Sequence, residues 1–212
     1  MWAASVLAVM LVAGCLRKAG HSSGTLTYRL PTKLSVPAGS NLPGTDIRYE
    51  HMTKEGVRVT IKGQPALKRR GDSLDWSGSP TDGVTVELKL RVAWYTEDEL
   101  HLVGTAKVVI KDASPRTAAI VTSSAIKYVG PVAYAIGKRA AIPGSPLTYV
   151  GRTAEGARLG GMEEYPYRKT GDSILWEGAL RDGVCARLDL RVLQFDDKGL
   201  RVGGLVTLWI GS

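Results

Sequence analysis

Apolar and polar residues alternate along the stretch from Val84 to Trp94. Strict alternation with a period of two places one face of a β-strand on a core and the other face in water. The same alternation returns from Leu100 to Ile110, after a polar turn at 96–99. Together the two stretches predict a long antiparallel hairpin, with Trp94 on its inward side.

Shorter segments of the same character precede this hairpin. Alternating residues at 47–49 and 57–61 flank Lys54-Glu55-Gly56, where glycine accepts the positive φ that a tight turn often needs. The segment 26–36 supplies one or two opening strands. Because this part of the chain lacks helical periodicity, roughly six or seven strands in about 90 residues predict a small antiparallel β-sandwich or partly open barrel.

The chain repeats itself with an offset of 100 residues and no gap. Gly71-Asp72-Ser73 recurs as Gly171-Asp172-Ser173. Further matched pairs are Tyr28 and Tyr128, Pro31 and Pro131, Tyr49 and Tyr149, Trp76 and Trp176, Asp82 and Asp182, and Val92 and Val192. The repeat predicts two homologous β-domains in tandem, at 24–111 and 123–212, with a linker at 112–122 that allows either a jointed or a packed pair.

The N-terminal segment MWAASVLAVMLVAGCL is apolar and ends at Arg17-Lys18. It is shorter than the roughly 20 residues of a membrane-spanning helix and is typical of a signal-peptide core. Leu11 to Cys15 resembles the lipobox of bacterial lipoproteins, in which the cysteine is lipid-modified and becomes the mature N-terminus. The resemblance implies a signal peptide at 1–15, lipid attachment at Cys15, a tether at 16–23 and an extracytoplasmic location at the bacterial cell envelope. An uncleaved anchor and an ordinary cleaved signal are the alternatives.

A formal net charge of +8 favours contact with anionic surfaces. A location outside the cytoplasm makes anionic glycans or lipid headgroups the expected surfaces and argues against nucleic acid. Basic residues occupy the same loop of each copy, namely Lys68, Arg69, Arg70, Arg168 and Lys169. These loops are either plain solvated loops or contacts for an anionic surface.

Gly71-Asp72-Ser73-Leu74 spells the signature of the GDSL esterases, with Ser73 as nucleophile, and Asp98 to His101 fits the D-x-x-H pattern of that family. The second copy has Lys198 to Arg201 at the latter position and would lack the base. Ser73 also lies between two predicted β-strands, whereas the serine of that family follows a parallel strand of an α/β domain. We therefore interpret the motif as a turn in which Asp72 accepts backbone hydrogen bonds, and we predict no enzymatic activity.

Other candidate sites are weaker. The histidines lack zinc-ligand spacing and the aspartates lack a D-x-D-x-D cluster, so no metal or cofactor is predicted. The matched aromatic residues fall on the inward phase of their strands, which predicts core positions rather than a sugar-stacking platform. They are Tyr28, Tyr49, Trp76, Tyr128, Tyr149 and Trp176.

The outer face of the last hairpin differs between the copies. Leu193, Leu205, Trp209 and Cys185 stand where the first copy has Ala93, Thr105, Val109 and Thr85. An apolar outer face predicts that something covers it, which is the first domain, another protomer or a separate partner. Leu193, Leu205 and Trp209 are the predicted contact residues.

These features predict a non-enzymatic, membrane-anchored tandem β-domain protein that binds a protein partner, or self-associates, at the cell envelope. A carbohydrate-binding module is the alternative, and it requires exposed aromatic residues at matched places in both copies. An esterase requires His101 within hydrogen-bond reach of Ser73.

Overall fold

The computed structural model describes residues 24–120, 123–124, 126–162 and 164–211, which contain fifteen β-strands and no helix. The prediction of an all-β fold is confirmed. The predicted signal segment and tether, with Cys15, lie outside the described residues. The first copy contains β1 (Leu26–Pro37), β2 (Ile47–Thr53), β3 (Gly56–Ile61), β4 (Gln64–Lys68), β5 (Ser73–Thr81), β6 (Val84–Tyr95) and β7 (Glu99–Ile110). The remainder contains β8 (Arg116–Thr117), β9 (Ile126–Gly137), β10 (Thr148–Arg152), β11 (Ala157–Gly160), β12 (Tyr167–Arg168), β13 (Ser173–Arg181), β14 (Val184–Phe195) and β15 (Gly199–Ile210).

Each copy combines a sheet of long strands with a sheet of three short strands. The long sheets have the orders β1-β7-β6-β5 and β8-β13-β14-β15-β9, and the short sheets have the orders β2-β3-β4 and β10-β11-β12. All neighbouring strands are antiparallel, and the predicted long hairpin is β6–β7. The registers correspond at an offset of 100 residues, since Ser73 pairs with Arg91 as Ser173 pairs with Arg191.

A β-bulge ends the alternation of β6 earlier than predicted. The register shifts between Val92 and Trp94, and Trp94 pairs with His101. The side chain of Trp94 is 48% exposed. The prediction that Trp94 points inward is wrong, because one extra residue in a strand reverses the phase of those that follow. The same shift occurs in β14, between Val192 and Gln194.

β1 and β9 lie against each other and join the interiors of the two copies. Leu30 contacts Gly130, Leu34 borders the same small cavity as Ile126, and Tyr134 is close enough to Tyr28 to help raise its pKa. These contacts run in opposite directions along the two strands, so β1 and β9 are antiparallel. Buried apolar residues of both copies form one continuous cluster, and the pair is packed rather than jointed.

One loop of each copy covers the first strand of the other. Gly44, in the β1–β2 loop, lies against Ile126, and Gly144, in the β9–β10 loop, lies against the Tyr28 hydroxyl. Both glycines have a positive φ, of 74° and 80°. A Cβ on either glycine would also overlap its neighbour in the other copy, so both positions require glycine.

The segment between the copies is part of the second sheet. Arg116 and Thr117 form β8 and pair with Ala179 and Gly178 of β13. Arg116 also forms a salt bridge of 2.7 Å with Asp182. Part of the segment expected to be a linker therefore extends the sheet that it precedes.

Replacing Gly130 tests the contact between β1 and β9. A Cβ at this position would lie 2.9 Å from Leu30 Cδ2 and 3.0 Å from Leu30 Cβ. We expect Gly130→Ala to lower the free energy of unfolding by about 1–3 kcal/mol through overpacking, as measured by urea denaturation. At Gly137, in the same strand, an added Cβ would meet no atom within 4 Å. Gly137→Ala is the control, and equal stability of the two variants would contradict the contact.

Candidate functional site

The segment 71–73 forms a turn at the start of β5. Gly71 has a φ of 89°, and Asp72 Oδ2 accepts a hydrogen bond of 2.8 Å from the backbone N–H of Arg69. The turn at 171–173 repeats this geometry, with a φ of 91° at its glycine and a hydrogen bond of 2.7 Å to its aspartate. The interpretation of the motif as a turn with an aspartate acceptor is confirmed.

The structure does not bring His101 to Ser73. His101 lies opposite Ser35 of β1, and its Nδ1 is 2.9 Å from Ser35 Oγ. Its Nε2 is 3.2 Å from a carboxylate oxygen of Glu99. Both ring nitrogens therefore face groups other than Ser73, and the acid beside the histidine is Glu99 rather than Asp98.

His101 belongs to an exposed side-chain cluster that the second copy lacks. Its ring stacks on Trp94, with centroids 4.1 Å apart and an angle of 23° between the planes. The equivalent residues in the second copy are Arg201 and Gln194. Sequence reasoning missed this cluster because the bulge in β6 places Trp94 on the outer face. Chemically, the cluster offers an imidazole between a hydroxyl and a carboxylate on an open surface.

The matched aromatic residues lie inside the molecule or at its edges. Tyr49 and Tyr149 are fully buried, and their hydroxyls donate hydrogen bonds of 2.5 Å to backbone carbonyl oxygens. Tyr28 and Tyr128 are buried where the two copies meet, and burial raises the pKa of Tyr128 to about 12. Trp176 is buried, whereas Trp76 is half-buried and donates to Asp46 at 2.9 Å. The predicted core positions are thus confirmed for the four tyrosines and Trp176.

The two basic loops lie towards opposite ends of the contact between β1 and β9. The first loop, 68–70, precedes a turn that is hydrogen-bonded to the backbone of Val92. Val92 lies in the same cross-strand row as Leu34 of β1. The turn after the second loop, 168–169, is hydrogen-bonded to the backbone of Val192, which lies in the same cross-strand row as Tyr134 of β9. Since Leu34 and Tyr134 mark opposite ends of the antiparallel contact, the structure does not gather the basic residues into one cluster. Their interaction with an anionic surface stays a prediction.

Several of these basic side chains bond to nearby backbone. Arg69 Nε donates to the carbonyl oxygen of Glu55 at 3.2 Å. Arg168 donates to the carbonyl oxygens of Ser173, at 3.0 Å, and of Tyr165 and Tyr167. Arg69 therefore connects its loop to the β2–β3 turn, and Arg168 holds its own loop in shape.

Two residues of the predicted apolar face are covered by the chain itself. Trp209 is 5% exposed and Cys185 is 8% exposed in this single chain. They occupy one row of the sheet with Ala179 and Lys127, and the Lys127 ammonium lies 5.7 Å from the centre of the Trp209 ring. The contact surface predicted at Leu193, Leu205 and Trp209 thus narrows to the two leucines.

The exposed part of this face is a group of leucines, which we call the leucine face. Leu175, Leu193 and Leu205 are 52%, 55% and 49% exposed. Leu175 and Leu205 lie in one row across the sheet, and Leu193 lies close to Gly203, two residues before Leu205. The exposed Asp189 of β14 lies between Leu175 and Leu205 in that row. An outer face with three exposed leucines around a single carboxylate indicates an interaction surface.

The first copy is polar at the same places. Asp75 and Thr105 stand where the second copy has Leu175 and Leu205. Sequence reasoning missed Leu175, although the comparison of Asp75 with Leu175 carries the signal. The leucine face is therefore a specific difference between two otherwise similar sheets.

Basic residues and a groove border the leucine face. Arg187 and Arg191 lie on the same side of β14, where Arg187 pairs with Glu177 at 3.2 Å. The row of Leu175 and Leu205 ends at Pro131 of β9. There an open groove of about 600 Å³ runs between β9 and β1 and includes Lys33 and Lys127 in its lining. Because Asp189 lies between the two arginines on that side of β14, this strand carries charges of both signs, and the groove adds the two lysines.

The described ranges contain no cluster of three or more histidine, cysteine or acidic residues suited to a metal ion. In the same ranges, no helix is long and apolar enough to span a membrane. No protein-family model, curated protein or solved structure matches the chain.

Substitution of the turn residues separates a structural role from a catalytic one. Asp72→Ala removes the acceptor of the Arg69 N–H, and we expect the free energy of unfolding to fall by about 0.5–2 kcal/mol, as for other side-chain caps. Ser73 is exposed and the turn does not depend on its hydroxyl. Ser73→Ala should therefore change the free energy of unfolding by less than about 0.5 kcal/mol. Both values come from chemical denaturation. Labelling of Ser73 by a fluorophosphonate probe, lost in His101→Ala, would overturn this view.

Proposed function

We propose that the protein is a lipid-anchored, extracytoplasmic binding module that contacts a protein partner through the leucine face. The observation that carries the proposal is the exposure of Leu175, Leu193 and Leu205 on one sheet, at positions where the first copy has polar or smaller residues. The lipobox-like segment ending at Cys15 supports the anchor. The proposed role is binding without catalysis.

Burial of the leucine face is what makes binding favourable. Each leucine is about half exposed, and removal of apolar surface from water contributes roughly 25 cal/mol per Å². Arg191 and the groove lysines Lys33 and Lys127 favour carboxylates on the partner, and Asp189 at the centre favours one cation. The fitting partner is a protein surface that presents apolar side chains around one basic residue, with acidic residues at its edge.

The aromatic residues favour a protein partner over a glycan. Trp94 and Tyr165 are exposed, but the equivalent residues in the other copy are Gln194 and Pro65. A sugar-stacking platform repeated in both copies requires exposed aromatic residues at matched places. The paired tyrosines are buried instead.

Exchange of the leucines for their first-copy counterparts tests the contact surface. Leu175→Asp with Leu205→Thr should abolish binding of the partner, which is first identified by photocrosslinking from position 205 in the native host. Because both leucines are exposed, the free energy of unfolding should change by less than about 0.5 kcal/mol. Asp75→Ala with Thr105→Ala is the matched control on the first copy and should bind normally. Unchanged binding of the purified partner by the leucine variant, or pairing of the chain with itself in sedimentation velocity, would contradict the proposal.

The anchor has its own test. Mass spectrometry of the membrane-extracted protein should find an acylated Cys15 at the mature N-terminus, and Cys15→Ala should prevent acylation. Detection of an intact Met1, or of an unmodified Cys15 in the native host, would reject the anchor without affecting the leucine face.

A further inference from the structure

The two long-stranded sheets differ at one edge. In the second copy β8 flanks β13, where Gly178 and Ala179 pair with Thr117 and Arg116. In the first copy β5 is the outermost strand, and within the described ranges its ladder partner is β6 alone. Among the described residues, the edge that β8 covers in one copy is therefore open in the other.

The burial of the two strands follows this difference. Gly178 and Ala179 are buried, whereas Ser77 and Ser79 of β5 are exposed. An open edge presents backbone N–H and C=O groups that pair readily with another extended chain. Pro80 lacks an N–H and ends the row of donors. The open stretch of the edge is thus 77–79.

The approach of β8 to β13 requires a glycine. A Cβ on Gly178 would overlap the carbonyl oxygen of Arg116. β5 has a glycine at the equivalent position, Gly78, and a tryptophan ring lies close to the glycine in both copies. The backbone of β5 therefore offers a neighbouring strand the same close approach as the backbone of β13.

Acidic residues lie at both ends of the open stretch. Arg116 of β8 forms a salt bridge with Asp182. The equivalent residue of the first copy, Asp82, binds Arg181 at 3.0 Å through one carboxylate oxygen, and its side chain is fully exposed. At the other end, Asp75 is the one charged residue of β5. Each carboxylate has one cation of the chain beside it, Arg181 at Asp82 and Lys89 opposite Asp75. The fully exposed Asp82 can still accept from a second cation, as Asp182 accepts from Arg116, and this favours a basic residue in a segment beside β5.

We propose that the open edge of β5 binds an extended, basic segment of a partner protein. The segment pairs with Gly78 and Ser79 through its main chain, as β8 pairs with Gly178 and Ala179. Main-chain pairing supplies affinity in this mode, and side-chain positions supply selectivity. The selective positions are a small residue beside Gly78 and a cation near the Asp82 carboxylate. This site lies on the first copy and does not depend on the leucine face.

A peptide taken from the chain itself is the probe. The synthetic peptide ASPRTAA has the sequence of residues 113–119 and contains β8. Titrated into the isotope-labelled full chain in detergent, it should shift the amide resonances of 77–79 and slow their hydrogen exchange. A matched peptide with N-methylated arginine and threonine amides lacks the main-chain donors and should lose both effects. Ser79→Pro should abolish the shifts and Ser79→Ala should keep them.

Three results would overturn the proposal. The first is the absence of shifts at 77–79 in the folded wild-type chain, and the second is an equal response to the two peptides. The third is a concentration dependence of these resonances without peptide, which would show that a second copy of the chain occupies the edge. Comparison of the unmodified and the N-methylated peptide on the wild-type chain tests the proposal even if Ser79→Pro does not fold.

Discussion

Close packing of β1 on β9 organises the whole structure. Leu30 reaches the backbone of Gly130, where an added Cβ would lie 2.9 Å from the leucine Cδ2. Each long sheet thereby meets the other through its first strand, and the apolar residues of both copies become one cluster. The glycines of the β1–β2 and β9–β10 loops, which lie against the opposite copy, belong to the same arrangement.

A chain with an internal repeat can have similar interiors in its two copies and different outer surfaces. Leu88 and Leu188 are both buried at equivalent places, whereas Asp75 and Leu175 share a position on the outer face and differ in polarity. Substitution in the core costs several kcal/mol, but substitution on an exposed strand face costs little. The differences between the copies are therefore where function is best sought, and both proposed sites are such differences.

The strands and the hairpin could be predicted from the sequence, because alternation of apolar and polar residues is typical of a β-strand with one buried face. The bulge after Val92 could not be predicted in this way, because one added residue does not change the composition of the strand. It nevertheless turns Trp94 to the solvent. Trp209 shows a second limit. It lies between the buried residues Leu208 and Ile210, so its outward phase was predicted correctly. Its burial depends on parts of the chain outside its own strand, which alternation along one strand cannot encode.

The candidate sites were predictable to different degrees. Leu193 and Leu205 stand out from a comparison of the copies, because exposed leucines replace smaller or polar residues. The open edge of β5 was not predictable, since the repeat alone does not show that Arg116 and Thr117 extend one sheet and not the other. The cluster around His101 needed both the strand pairing and the bulge.

The shared core predicts that both copies unfold as one unit. Native-state hydrogen exchange of Leu188→Ala measures this, since Leu188 is a buried residue of the second copy. The substitution should lower the free energy of unfolding by roughly 2–5 kcal/mol. We expect the slowest-exchanging amides of β6 and of β14 to lose protection against hydrogen exchange equally. A loss confined to β14, with β6 unchanged, would contradict it.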